Sequence, residues 1–383
     1  MVGSAGRIGV ALKNKFLAHL FLERRHVMRK NSIWVAISVL VMTGIVQETK
    51  PAPAATPAPA KAEVIKWKAQ SSYPLPSQPT GRNPATTPGM GAFLWAEWVK
   101  KATNGRLQIE WAPANSIFQS SETLTAVGKG LAQAALVYPG YYVGQMPEAA
   151  VESFVPFGAE NVEDMFVIAY HYGFEEALRK IYAAKNVYLM GIFPVTAASN
   201  LGTNFDMSSG LDSVKGKKIR TAGGALADYV SMIGATPVPV PYSEVYMAMR
   251  LGTVDGFMQG IVDLEAQKLK EVTKYFLRPG TGVILGNVQI NMDAWKALPE
   301  DIRELLSRDS RRIMWEGGMD VLSFENSIPA MARGVRYQSW SPETRAKIAK
   351  QAMDTIWSKM ASASPQSRQL IDIFKAFAKD SGK

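Results

Sequence analysis

From residue 63 onward, strand-like segments alternate with helix-like segments, and this alternation limits the chain to a few fold classes. The first cycle has a strand pattern at 64–70, a helix pattern at 91–105 and a second strand pattern at 106–111. The same rhythm returns between 217 and 259. Such alternation is typical of parallel strands covered by helices. We therefore predict an α/β fold with two units of this kind.

The sequence becomes mainly helical after a long apolar strand pattern at 283–292. A helix is expected over 300–332, and Gly317-Gly318 is expected to break or bend it. Ser341-Pro342 predicts another helix start, because serine caps a helix and proline fits its first turn. The pattern thus indicates a helical carboxy terminus.

The first 62 residues form a segment of different composition. They carry nine basic and two acidic side chains, and so hold most of the formal net charge of +10. Residues 33–46 are an uncharged apolar run, shorter than the roughly 20 residues that span a bilayer. A basic start at Met28, this run and later Ala-x-Ala triplets predict a signal peptide for export to the periplasm, then a Pro/Ala linker. An uncleaved membrane anchor remains the alternative.

Composition excludes several kinds of functional site. The chain has no cysteine and three histidines, which removes disulfides and thiol nucleophiles and leaves little for a histidine-based centre. No nucleophile-elbow, Walker A or zinc-protease motif occurs. The part after residue 62 is close to neutral, so no nucleic-acid partner is expected. We predict no catalytic centre, metal or cofactor.

Two tyrosines stand out in the loop that follows the strand pattern at 132–138. Tyr138 and Tyr141 belong to the sequence YPGYY. Loops after strands often carry binding residues, so these rings line a pocket or, alternatively, belong to the core.

Two segments together are more specific: LDSVKGKKIRTAGG at 211–224 and GATPVPVPYSEVYMAMRLGTVDGFMQG at 234–260. At this spacing they resemble the extracytoplasmic solute-binding proteins of tripartite ATP-independent periplasmic (TRAP) transporters. The resemblance extends over essentially all of the chain after the leader, including VPFG at 155–158 and the segment at 288–306.

The resemblance implies a two-lobed fold, like that of periplasmic binding proteins, which closes over its ligand. Strands that cross between the lobes would act as hinges. After a leader at 1–62, we expect lobe I to comprise 63–197 with 285–324, and lobe II to comprise 198–284 with 325–383.

The resemblance also implies ligand contacts. Arg220, in the GKKIR motif, stands where the family binds the ligand carboxylate, Tyr242 where an aromatic ring packs on the ligand, and Gln259 where an amide hydrogen-bonds it. A planar guanidinium matches the two oxygens of a carboxylate. Alternatively, Arg220 pairs with an acidic residue at the surface.

Two departures from the family pattern bear on the ligand. Members that bind dicarboxylates place a second arginine where this chain has Asn200. Its loss favours a monocarboxylate. Members that bind 2-oxo acids with a metal have a carboxylate where this chain has Met258, and a thioether is a poor ligand for a hard cation. Met258 is expected instead to line an adaptable apolar wall.

The function expected from these features is a receptor, not an enzyme. It would capture an organic acid, specifically a monocarboxylate, and deliver it to the membrane permease subunits of a TRAP transporter. A binding protein for an ABC-type importer or a sensor is the nearer alternative, and a periplasmic enzyme on a small acid the more distant one.

Overall fold

The computed structural model describes residues 63–73, 75 and 90–382. The predicted leader at 1–62 lies outside the described residues. Within the described ranges, no helix is both long enough and apolar enough to cross a lipid bilayer.

The strands of the described residues form two sheets. In chain order they are β1 (Ile65–Ser71), β2 (Leu107–Ala112), β3 (Ala134–Val137), β4 (Val187–Thr196), β5 (Asn200–Thr203), β6 (Lys218–Thr221), β7 (Thr236–Pro239), β8 (Gly256–Gln259), β9 (Tyr275–Leu277), β10 (Ile284–Asn291) and β11 (Arg336–Gln338). The first sheet has the spatial order β2-β1-β3-β10-β4, and the second has the order β11-β9-β5-β8-β6-β7. Each sheet with its helices makes one lobe, as the predicted α/β class requires.

Helices occupy most of the remaining chain. They are α1 (Met90–Ala102), α2 (Thr123–Gly128), α3 (Glu148–Ser153), α4 (Val162–Tyr170), α5 (Phe174–Ala183), α6 (Gly224–Met232), α7 (Val245–Arg250), α8 (Asp263–Ala266), α9 (Met292–Lys296), α10 (Glu300–Glu325), α11 (Ile328–Met331), α12 (Pro342–Ala352), α13 (Ser358–Ala363) and α14 (Pro365–Ser381). Ser341 caps α12 by accepting the backbone N–H of Thr344 at 3.2 Å. The carboxy terminus is therefore helical, as predicted.

Both sheets are mixed, which corrects the prediction of parallel sheets. Strand β1 runs parallel to β2 and β3, and β6 runs parallel to β7 and β8. Strand β10, however, is antiparallel to β3 and β4, and β5 is antiparallel to β8 and β9. The difference arises because β5 and β10 each follow a segment that passes from one sheet to the other, so no crossover helix sets their direction.

Two of the passages between the sheets lie side by side. Residues 197–199 join β4 to β5, and residues 278–283 join β9 to β10. Ser199 N–H donates to the Gly282 carbonyl at 2.7 Å, and Thr281 N–H donates to the Ser199 carbonyl at 2.9 Å. These two hydrogen-bonded segments join the lobes, and a third passage runs from β10 through α10 and α11 to β11. The lobe boundaries expected from the sequence remain a prediction.

A buried polar network holds β10 against the helices of the first lobe. Asn287 Nδ2 donates to Glu152 Oε1 at 2.7 Å and to Tyr182 Oη at 2.8 Å. Gln289 Nε2 donates to Tyr142 Oη at 2.7 Å, and the two phenols lie 2.6 Å apart. Burial raises the pKa of the Glu152 carboxyl to about 7, although its hydrogen bonds oppose the shift. Polar side chains on both α3 and α5 therefore fix the strand that enters from the second lobe.

Helix α10 is continuous through Gly317-Gly318, so the predicted break does not occur. A Cβ on Gly317 would overlap the Cα of Gly91 in α1, and a Cβ on Gly318 would overlap the Pro194 ring in β4. The glycine pair allows α10 to approach a helix and a strand more closely than any side chain permits. Close packing explains these two residues.

Gly317→Ala is expected to destabilise the protein although alanine is the better helix former. Overpacking against the α1 backbone should cost about 1–3 kcal/mol of unfolding free energy, more than the roughly 1 kcal/mol gained in helix propensity. Urea titration followed by circular dichroism measures the difference. Gly144→Ala is the control, because nothing lies within 4 Å of a Cβ at that position. Equal or greater stability of Gly317→Ala would contradict this packing.

Candidate functional site

A cavity lies between the two sheets, where strand ends from both lobes meet. In the first sheet, the carboxyl ends of β1, β3 and β4 share an edge with the amino end of β10. In the second sheet, the carboxyl ends of β6 and β8 face the same space. Residues in loops and at strand ends along this edge can place side chains in the cavity without breaking the hydrogen bonds between strands. The space between the lining atoms is about 430 Å³, open solvent at the mouth included.

The described lining residues come from both lobes and mix aromatic, apolar and polar groups. The first lobe supplies Tyr73, Tyr138, Tyr141, Val195, Thr196 and Ile284. The second lobe supplies Arg220, Ala222, Leu226, Tyr242, Met258, Gln259, Gly260, Val262 and Asp263.

Arg220 is the basic side chain among these residues, and it is 2% exposed. It belongs to β6, whose neighbours β7 and β8 hold it inside the second sheet. Its Nε donates to the Val240 carbonyl at 2.9 Å, whereas Nη2 has no partner among the residues that the structure describes. Its burial argues against the surface-acid alternative, and the acidic side chain that its charge affects is the buried Asp263. A buried cation with an unused donor is suited to binding an anion.

Asp263 is a buried carboxyl at the start of α8. Tyr242 Oη donates to its Oδ1 at 2.5 Å, and Gln259 Nε2 donates to its Oδ2 at 3.1 Å. Burial raises its pKa to about 7, while the Tyr242 hydrogen bond and the charge of Arg220 act in the opposite direction. The cavity therefore contains a carboxyl group whose charge changes near neutral pH.

Phenol rings form much of the remaining wall. Tyr73 of the first lobe and Tyr242 of the second meet edge to face, with ring centroids 5.8 Å apart. Tyr138 and Tyr141 pack likewise at 5.5 Å. Burial raises the pKa of all four phenols, so they stay protonated at neutral pH. The Tyr73–Tyr242 contact joins the lobes directly across the cavity.

The structure brings six of the seven side chains expected at the ligand to this cavity: Arg220, Gln259, Tyr242, Tyr138, Tyr141 and Met258. Asn200 differs from the expectation. Its side chain is buried, and its Nδ2 donates to the Leu277 carbonyl at 3.0 Å, at the end of β9. This amide therefore ties two strands of the second sheet together and is not among the lining residues.

Sequence reasoning missed Tyr73, Thr196 and Asp263. Tyr73 comes two residues after β1, and Thr196 ends β4, so the signal was their place at the carboxyl ends of strands. Asp263 was visible as an acidic residue in an apolar stretch four positions after Gln259. Identifying any of the three needed knowledge of which strand ends share an edge.

Thr196 connects the cavity to the passages between the lobes. Its hydroxyl donates to Glu325, at the end of α10, and the next backbone amide, Ala197 N–H, donates to Glu325 Oε2 at 3.0 Å. A Cβ at Gly260 would overlap the Thr196 hydroxyl, so glycine permits β8 to end against this residue. Burial raises the pKa of Glu325 to about 7, and the nearby Asp263 raises it further. One wall residue thus also contacts the passage between the lobes.

Metal ligands do not cluster in the part of the chain that the structure describes. No group of three or more histidine, cysteine, aspartate or glutamate side chains there is arranged to hold an ion. Met258 contributes a buried thioether to the cavity wall.

The sequence matches a family model over residues 80–364, described as bacterial extracellular solute-binding protein, family 7. A monocarboxylate 2-oxoacid-binding periplasmic protein of Nostoc is 27% identical over 327 residues, which is 82% of this chain and 84% of that protein. The C4-dicarboxylate-binding periplasmic protein of Rhodobacter capsulatus is 26% identical over 237 residues, 59% of this chain and 67% of that protein.

Solved structures share the fold. A Bordetella pertussis extracytoplasmic solute receptor that binds pyroglutamic acid superposes with a TM-score of 0.72 at 18% identity, covering 82% of this chain and 100% of that one. A TRAP periplasmic solute-binding protein from Chromohalobacter salexigens, with bound (S)-(+)-2-amino-1-propanol, gives 0.71 at 21% identity, covering 83% and 96%. Because the family model covers most of the chain, this protein belongs to the family 7 bacterial extracellular solute-binding proteins of TRAP transporters.

Proposed function

We propose that this protein is a periplasmic receptor that captures a small organic monocarboxylate between its lobes and delivers it to a TRAP membrane permease. The observation that carries the proposal is the buried guanidinium of Arg220, which lines the cavity with Nη2 unpartnered among the described residues. Each charge-assisted hydrogen bond to a carboxylate stabilises a complex by about 1.5–3 kcal/mol.

The charge of the wall supports a monoanion rather than a dianion. Arg220 is the basic side chain among the described lining residues, and Asp263 is the acidic one. A second carboxylate on the ligand would find no second cation there and would face Asp263 instead. The Nostoc relative, whose name specifies monocarboxylates, supports the same choice.

Binding without chemical conversion is part of the proposal. The relatives named above are solute-binding proteins. Location in the periplasm rests on the family and on the predicted signal peptide. A permease gene of the TRAP type beside this gene would support the proposed partner over an ABC-type importer or a sensor. Recovery of the bound acid unchanged after long incubation would exclude the enzyme alternative.

Arg220→Lys is expected to weaken binding by at least about tenfold, equal to 1.4 kcal/mol, because one ammonium cannot offer two parallel N–H donors. A thermal-shift screen of propionate, pyruvate, L-lactate, L-pyroglutamate and succinate identifies the tightest acid, and calorimetry then compares the variant with the parent. Arg312→Lys is the matched control, because Arg312 is exposed and pairs with Glu316. Unchanged affinity in Arg220→Lys, or no binding of any acid to the parent protein, would overturn the proposal.

Binding of a plain monocarboxylate such as propionate is expected to strengthen as the pH falls. The pKa of Asp263 is about 7 in the free protein, and a bound carboxylate raises it further, so binding takes up a proton. One-proton linkage then gives about a tenfold gain in affinity between pH 8 and pH 6. The groups that act on Asp263 from neighbouring elements are Arg220, Tyr242, Gln259, Tyr73 and Glu325.

Calorimetry in buffers of different ionisation enthalpy measures both the affinity and the proton uptake. Asp263→Asn should remove most of the pH dependence, since no proton remains to be taken up at that position. An affinity that stays constant or falls from pH 8 to pH 6 in the parent protein would contradict the prediction.

A further inference from the structure

The amide of Gln259 presents an unused acceptor at the cavity. The side chain is 4% exposed, and its Nε2 donates to Asp263 Oδ2 at 3.1 Å. The carboxylate fixes this orientation, because the opposite one would set the amide oxygen against a carboxylate oxygen. Oε1 then has no partner among the described residues. A buried acceptor without a donor costs about 1–3 kcal/mol, a cost that a donor on the ligand would remove.

The neighbouring carboxyl of Asp263 has remaining acceptor capacity as well. An ionised carboxylate accepts about four hydrogen bonds. Tyr242 Oη and Gln259 Nε2 donate to it, and the backbone of Gly260 also stabilises its charge. The side chain is 3% exposed, so bulk water has little access to it.

The formal charges of the cavity wall also favour a ligand that carries a hydrogen-bond donor. Arg220 and Asp263 together sum to zero when both are ionised. A simple monoanion would bring a second carboxylate near Asp263 and would bind only with uptake of a proton. A carboxylate that also carries an ammonium keeps the buried cavity neutral without that proton.

We propose that Asp263 and Gln259 form an acceptor subsite beside Arg220, which selects monocarboxylates that carry an N–H or O–H donor, with zwitterionic acids preferred. This inference rests on the proposed function, because it assigns the ligand class of the same cavity. Arg220 holds the carboxylate, and the acceptor pair binds the donor. Asp263 is thus the residue that determines specificity.

Acids of one carbon frame that differ in a single group test the subsite. The three-carbon set is propionate, L-lactate and L-alanine, and the ring set is cyclopentanecarboxylate, L-pyroglutamate and L-proline. Calorimetry at pH 8, with the full chain, gives the affinity ratio within each set. In at least one set, the donor-bearing acids should bind at least about tenfold more tightly than the plain acid. One charge-assisted hydrogen bond provides an affinity gain of this size.

Asp263→Asn should reverse the preference for donor-bearing acids and not only weaken binding. The new amide would donate to Gln259 Oε1, so the Gln259 amide turns and directs its Nε2 to the ligand. Pyruvate, with a carbonyl acceptor, should then bind more tightly than L-lactate, and the acids with an ammonium should lose about tenfold or more. Asp301→Asn is the matched control, since Asp301 lies outside the cavity and pairs with Arg106.

The outcomes separate this inference from the proposed function. If propionate and cyclopentanecarboxylate bind as tightly as their donor-bearing counterparts, or if Asp263→Asn leaves the ratios unchanged, the acceptor subsite is wrong while carboxylate binding stands. If no acid in either set binds, the proposed function fails and the inference fails with it. Should Asp263→Asn not fold, Gln259→Met removes the free acceptor, and a ratio that stays unchanged in that variant also overturns the inference.

Discussion

The arrangement of this protein depends on one buried cation. Removing a guanidinium from water costs several kcal/mol unless partners replace the lost hydration. Arg220 has such partners in the Val240 carbonyl and the Tyr141 phenol, and its Nη2 is unmet among the described residues. The sheet keeps Arg220 buried despite this cost, because β6 lies between β7 and β8 and these strands hold its backbone in place. An anion in the cavity, as proposed above, would supply an acceptor for Nη2 of Arg220.

The directions of the strands determine which side chains can meet this cation. Strands β6 and β8 end at one edge of the second sheet, and β1, β3 and β4 end at the facing edge of the first. Strands β5 and β10 enter from the opposite lobe and are therefore antiparallel to their neighbours. This reversal keeps these two connections between the lobes at the cavity, where Ser199 and Thr281 hydrogen-bond them to each other. The third connection runs from β10 through α10 and α11 to β11.

The sequence was informative where the signal is local. Arg220, Tyr242 and Gln259 lie within 40 residues of each other in two recognisable segments, and all three line the cavity. Residues from separate elements were not predictable in this way. Asp263 becomes part of a site only because α8 starts against the end of β8, and Tyr73 only because β1 and β3 are neighbours.

At two places the contact that decides the role of a residue lies far away in the sequence. The glycines of α10 were interpreted as helix breakers, yet their partners are Gly91 and Pro194, each more than 100 residues distant. The sequence also placed Asn200 at the ligand, whereas the nearest use for its amide is the Leu277 carbonyl at the end of a neighbouring strand. Local propensity describes what a residue can do alone. Packing between distant segments decides which of those options the folded chain uses.

The same principle explains the linked charges near the passage at residues 197–199. Asp263 lines the cavity and Glu325 holds Thr196, and each of the two buried carboxyls makes ionisation of the other less favourable. A ligand charge beside Asp263 would therefore also act on Glu325, which accepts hydrogen bonds from Thr196 and Ala197.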